Sequence, residues 1–78
     1  MLIKAGTPIG IRTRIFDPDG NRVGNVFWLD TVTGKLGMWR LVAPGKILVE
    51  DGHLVSDEVD GTGYTYQIAD GPRLPIKE

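Results

Sequence analysis

Asn25-Val-Phe-Trp-Leu-Asp-Thr-Val-Thr33 is the longest stretch of the chain without a glycine or proline, and it is only nine residues long. An ordinary helix of about 11 residues would carry one of those residues in its interior, at roughly 1 to 3 kcal/mol each. Substantial helix is therefore excluded. The intervals between breakers are rich in Ile, Val, Thr, Trp, Phe and Tyr. They are separated by Asp17-Pro-Asp-Gly-Asn21, Thr31-Val-Thr-Gly34, Ala43-Pro-Gly45, Asp51-Gly52, Asp60-Gly61 and Asp70-Gly-Pro72. Short strands joined by tight turns have this rhythm. The sequence predicts an all-β fold, a small single-domain barrel or sandwich of about six short antiparallel strands. They are placed near residues 9–16, 23–30, 35–42, 46–50, 53–58 and 63–69, in a body spanning 9–70. Residues 1–8 and the proline-spaced segment 71–78 are expected to be extended N- and C-terminal arms.

Two hairpins can be registered from their turns. A two-residue type I′ turn at Asp51-Gly52 sets Glu50 opposite His53, Val49 opposite Leu54, Leu48 opposite Val55 and Lys46 opposite Asp57. A four-residue loop at Thr31–Gly34 sets Trp28 opposite Gly37. Val26, Trp39 and Leu41 then share the Trp28 face, with Phe27, Leu29, Leu36 and Met38 on the reverse. Both faces of both hairpins are apolar, whereas the first strand alternates Ile9, Ile11 and Ile15 with Arg12 and Arg14. A small monomeric barrel buries one side of each strand, so the two-faced hairpins point to contacts outside the domain, unless a neighbouring loop covers the second face.

At 78 residues the chain is near the size at which a single core only just offsets the entropy lost on folding. It has no cysteine for a disulfide, and its one histidine, His53, rules out the histidine- and cysteine-based zinc sites of many small domains. Oligomerisation or docking is the remaining support. No apolar stretch resembles a signal peptide or the roughly 20 residues of a membrane span, so a soluble protein made in a reducing cytosol is expected. The formal charge of -1 gives no general attraction to nucleic acid, but residues 1–46 carry +4 and residues 47–78 carry -5. That split is able to orient copies head to tail, or folding interleaves the two halves.

Little in the chain suggests catalysis. Asp17-Pro-Asp-Gly-Asn21 opens like a calcium loop, but Arg22 stands where such a loop needs glycine and Trp28 where it needs glutamate. It reads as a turn capped by aspartate. Asp57, Glu58 and Asp60 read as a solvated strand end rather than a cation site or paired acid–base carboxylates. Ser56 and His53, the only serine and histidine, are three positions apart on one strand and face opposite ways, so no triad is available. No catalytic residue, metal ligand or cofactor site is expected. Two binding surfaces are candidates for a protein partner: Trp28 and Trp39 with Val26 and Leu41, and the tail Pro72-Arg73-Leu74-Pro75, whose Pro-x-x-Pro spacing near Lys77 has the crude form of an SH3 ligand and which otherwise reads as an arm laid on a neighbour or a solvated tail. The alternative is a small regulatory or single-stranded nucleic-acid-binding barrel. In it Arg12 and Arg14 would meet phosphates and the two tryptophans would stack on bases, against an acidic pI of about 5.7.

The segment Val26-Phe-Trp-Leu-Asp-Thr-Val-Thr-Gly-Lys-Leu36, an aromatic strand leading into Asp-Thr-x-Thr-Gly, resembles the hairpin of short β-rich proteins encoded among tailed-bacteriophage virion genes. The resemblance implies a virion component, such as a head decoration or cement protein lying across major capsid protein subunits. It carries over no functional residue beyond this hairpin. Residue chemistry and resemblance together give one expectation: a non-enzymatic, homo-oligomeric structural protein that binds protein rather than nucleic acid or membrane.

Overall fold

The aromatic run becomes an inner strand of a four-stranded antiparallel sheet. In the computed structural model, which describes residues 1–77, this sheet has the order β1 (Leu2–Lys4), β3 (Val26–Asp30), β4 (Lys35–Trp39), β9 (Ser56–Asp60). A second sheet has the order β11 (Arg73–Pro75), β10 (Thr65–Ile68), β2 (Thr13–Phe16). Two ribbons, β5 (Leu41–Ala43) with β6 (Lys46–Ile47) and β7 (Val49–Glu50) with β8 (His53–Leu54), complete the all-β architecture. The expected body is thus a two-sheet arrangement, and no described helix exceeds one turn.

That one turn, α1 (Pro8–Ile11), replaces the start of the strand expected at 9–16. Thr7 caps it by accepting from the Gly10 amide at 3.1 Å, and Pro8 occupies the first position, where a missing N–H costs nothing. The apparent alternation of Ile9 and Ile11 with arginines is therefore not a strand pattern, and Ile11 is 75% exposed. Strand geometry begins only at Thr13.

The core lies between the inner faces of the two sheets. Ile3, Leu29 and Leu36 from the first sheet meet Tyr66 from the second, with Ile76 from the chain end, and Ile15, Val26, Met38, Val59, Tyr64 and Ile68 pack around them. Both segments expected as free arms are built into this core. Residues 2–4 pair with β3, and Ile3 is buried opposite Leu29. Arg73–Pro75 pair with β10, and the Ile76 amide donates to the Tyr64 carbonyl at 3.0 Å. The physical reason is one apolar side chain at each end. Ile3 and Ile76 are 3% and 1% exposed, and the core is too small to do without them. Gly61 lets Ile76 in, since a Cβ there would strike both the Ile76 side chain and the Gly34 carbonyl.

The hairpin around Asp51-Gly52 has the expected register near its turn, with Val49 opposite Leu54, Glu50 opposite His53, and positive φ at Asp51 and Gly52. The pairing of Lys46 with Asp57 is not found. Arg40 enters instead, its amide donating to the Val55 carbonyl and its carbonyl accepting from the Leu48 amide. Beyond that point β9 pairs with β4, and Asp57 receives the Arg40 guanidinium through both oxygens, at 3.0 and 2.5 Å. Because Trp39 and Ser56 lie directly across from one another, everything between them projects from one end of the sheet.

Ile76→Ala truncates one of the largest fully buried side chains among the described residues, beside Leu29 and Leu36. It should lower unfolding stability by about 2 to 5 kcal/mol, read as a reduced urea midpoint. A solvated arm would give a change within about 0.5 kcal/mol.

Candidate functional site

The outward side of the four-stranded sheet is set by one irregularity in the β3–β4 ladder. Asp30 faces Lys35, Leu29 faces Leu36 and Trp28 faces Gly37, as the four-residue loop requires. Val26 then faces Met38 rather than Trp39, so Phe27 is left without a partner as the extra residue of a β-bulge. Asn25 fixes the shift from both sides. Its carbonyl accepts from the Trp39 amide at 2.8 Å, and its side-chain amide donates to the Trp39 carbonyl at 2.7 Å.

The bulge exchanges two side chains relative to the sequence expectation. Val26, expected beside the tryptophans, packs with Met38 against the core, while Phe27, expected on the reverse, joins the tryptophans outside. The Phe27 and Trp39 rings stack with centroids 4.0 Å apart and planes 19° from parallel, and Trp28 meets Phe27 edge-on at 6.5 Å. Such pairs contribute about 0.5 to 1.5 kcal/mol beyond the area they bury. Trp28 also lies flat across Gly37, where an added Cβ would fall inside the indole. Glycine is needed opposite Trp28 for that reason.

An open groove runs along this face between the aromatic cluster and β1, bounded by Leu2, Lys4 and Gly6. Leu41, 43% exposed, extends the apolar surface beyond Trp39 toward Gly45 and Ile47. The charged part of the face lies along β9. Glu58 pairs with Lys35 at 3.7 Å, and Asp60 accepts from Lys77 Nζ at 2.8 Å and from the Thr62 amide and hydroxyl. Lys77 first and then Thr62 hold the Asp60 carboxyl well below the usual carboxylate range. The Arg40 fork holds the Asp57 carboxyl down in the same way. The acidic cluster is thus divided among three bases, and no group of three or more metal-ligating side chains gathers among the described residues.

The remaining sequence candidates are dispersed. The Asp17 carboxylate accepts from the Asp19 and Asn21 amides, both at 2.9 Å, as a capped turn does. His53 sits on β8 and Ser56 begins β9. Arg12 ends the helical turn, and Arg14 lies on the other sheet, on the side opposite Ile15, where it lines a small cavity with Arg22, Phe27 and Trp28 but not Trp39. A joint platform of both arginines with both tryptophans is therefore not assembled. In the tail, Arg73 covers the Phe16 ring at 3.6 Å, Leu74 is 43% exposed, and Pro72 and Pro75 are exposed along an edge strand rather than on a free arm. No described helix is long and apolar enough to cross a membrane. Comparisons with known protein families, curated protein sequences and solved structures found no match to this chain.

Phe27 and Leu2 are the members of this face that sequence reasoning misses. The only local signal is Asn25, a side chain able to clasp a neighbouring strand just where the ladder slips. Gly37→Ala should leave the sheet intact but push the indole off the strand, costing about 1 to 3 kcal/mol and shifting tryptophan emission. An unchanged emission spectrum would show that Trp28 does not rest there in solution.

Proposed function

We propose that the protein is a non-enzymatic assembly subunit that associates with copies of itself through the outer face of its four-stranded sheet. One observation carries this reading: Phe27, Trp28 and Trp39 cluster on the side of the sheet facing away from the core. Aromatic side chains are enriched at the centres of protein interfaces because they bury much area at little entropic cost, and these three are only half-buried within the chain, leaving area for a partner to cover. Leu2 and Leu41 widen the patch on either side, and ion pairs on β9 give it a polar border, the layout of an interface with an apolar centre and a wet rim.

The resemblance of hairpin 26–36 to tailed-phage virion proteins supports placing such a subunit on a phage head, as a decoration or cement protein over the major capsid protein. The nucleic-acid reading has less support, since neither Arg12 nor Arg14 lines the groove beside Trp28 and Trp39. The Phe27–Trp39 stack also occupies one face of each ring that a base would need.

Light scattering of the purified chain in about 1 M salt, where the Debye length is about 3 Å, isolates apolar association. The parent chain should associate with rising concentration, and Trp39→Ser combined with Leu41→Ser should remain monomeric while keeping its circular dichroism. A monomeric parent, or a variant that associates equally well, contradicts the proposal.

A further inference from the structure

The register of the three-stranded sheet makes its outer face basic. Gln67 of β10 lies directly between Arg14 of β2 and Arg73 of β11, so these side chains share one side of the sheet. Two residues along, Thr65 lies beside Phe16, and Phe16 bridges on its other side to Arg22. The Arg73 guanidinium sits 3.6 Å from the Phe16 ring centroid, so both rows face the same way. Arg14, Arg22 and Arg73 are exposed, neither row holds a carboxylate, and none of the three forms an ion pair among the described residues. The nearest acids along the chain are Asp17 and Asp19, in the turn before Arg22, where Asp17 is occupied by backbone amides, and Asp70, in the turn before Arg73, which forms no ion pair among the described residues.

The matching charge lies elsewhere on the molecule. Asp57, Glu58 and Asp60 are each matched within the fold by Arg40, Lys35 and Lys77. Glu50 and Asp51 form no ion pair among the described residues. Arg40 feels the Glu50 charge but is itself held by Asp57. These two carboxylates stand at the tip of the β7–β8 hairpin, in the part of the chain that projects from the end of the four-stranded sheet. Behind the tip, Val49 and Leu54 face one another and are 55% and 51% exposed, so the hairpin lacks a covering partner within its own chain.

We propose that the tip of the β7–β8 hairpin docks on the arginine face of a second copy, with Glu50 and Asp51 meeting Arg14, Arg22 and Arg73. Arginine is suited to this contact because its planar fork binds a carboxylate through two parallel hydrogen bonds. Three arginines close together on one sheet also repel one another until an anion arrives. A second copy is favoured over a phosphate backbone because each copy itself presents carboxylates without an ion-pair partner, among the described residues, at its hairpin tip, while a formal charge of -1 gives the chain no general attraction to nucleic acid. Each copy offers both surfaces, so the contact is heterologous and propagates as a ring or filament. It uses neither tryptophan and stands apart from the aromatic-face reading.

The test is a charge exchange in the full chain, read by sedimentation at about 0.01 M salt, where the Debye length is about 30 Å. One variant carries Glu50→Arg and Asp51→Arg, the other Arg14→Glu and Arg22→Glu. Each alone should associate at least about tenfold more weakly than the parent, because like charges then face one another. An equimolar mixture of the two should recover the association, the parent's association should fall as salt rises, and Trp39→Ser should leave the recovery in the mixture intact. If circular dichroism shows that the glutamates disturb the sheet, Arg14→Gln with Arg22→Gln should still weaken association, by less than the charge reversal, because it removes the attraction without adding repulsion. A variant that associates like the parent, a mixture that stays apart, or a parent that stays monomeric at low salt overturns the proposal. Binding of a single-stranded oligonucleotide lost in Arg14→Glu, Arg22→Glu, with no self-association of the parent, would assign the face to nucleic acid instead.

Discussion

One unpaired residue, Phe27, decides what each side of the main sheet is made of. A regular ladder from Trp28 back to Val26 would turn Phe27 inward beside Met38 and leave Val26 in solvent. With the extra residue in β3, the core receives the smaller Val26, and the three aromatic rings stand together outside. The Asn25 clasp on Trp39 holds the slip in place through two hydrogen bonds at 2.8 and 2.7 Å. Bulges often re-aim side chains at functional edges, and this one re-aims two rows at once.

The core that results is small, with Ile3, Leu29, Leu36, Tyr66 and Ile76 as its buried members. Both chain ends contribute to it, and Lys77 then anchors the last described residues to Asp60. The outer face of the main sheet and the hairpins beyond it keep apolar side chains in contact with solvent. Val42, Val49 and Leu54 are all more than half exposed. A domain near the lower size limit with one modest core and an unspent apolar surface gains most from association, which removes that surface from water without enlarging the chain.

Much of this was legible in the sequence. Glycine and proline spacing excludes helix, and Asp51-Gly52 and Thr31–Gly34 fix two registers correctly next to their turns. Legibility fails where a register must be carried further than a turn can enforce it. The bulge at Phe27 reverses the side of Val26, and Arg40, which leaves Leu48 and Val55 one of the two hydrogen bonds they would exchange, sends β9 to a different partner. The terminal strands were invisible for another reason: β1 is three residues around one buried isoleucine and β11 is three exposed residues just before Ile76, and neither is long enough to show a periodicity. The arginine face was equally hidden, since Arg14, Arg22 and Arg73 come together only through pairings between strands distant in sequence.

Both tryptophans of the chain belong to the aromatic face, so they report directly on whether that face is covered. The decisive measurement is acrylamide quenching of tryptophan fluorescence in the dilute chain and in its associated form at high salt. The account predicts quenchable tryptophans when dilute, and a blue-shifted, quencher-protected emission once the chain has associated. Association that leaves both tryptophans as accessible as in the dilute chain would contradict it.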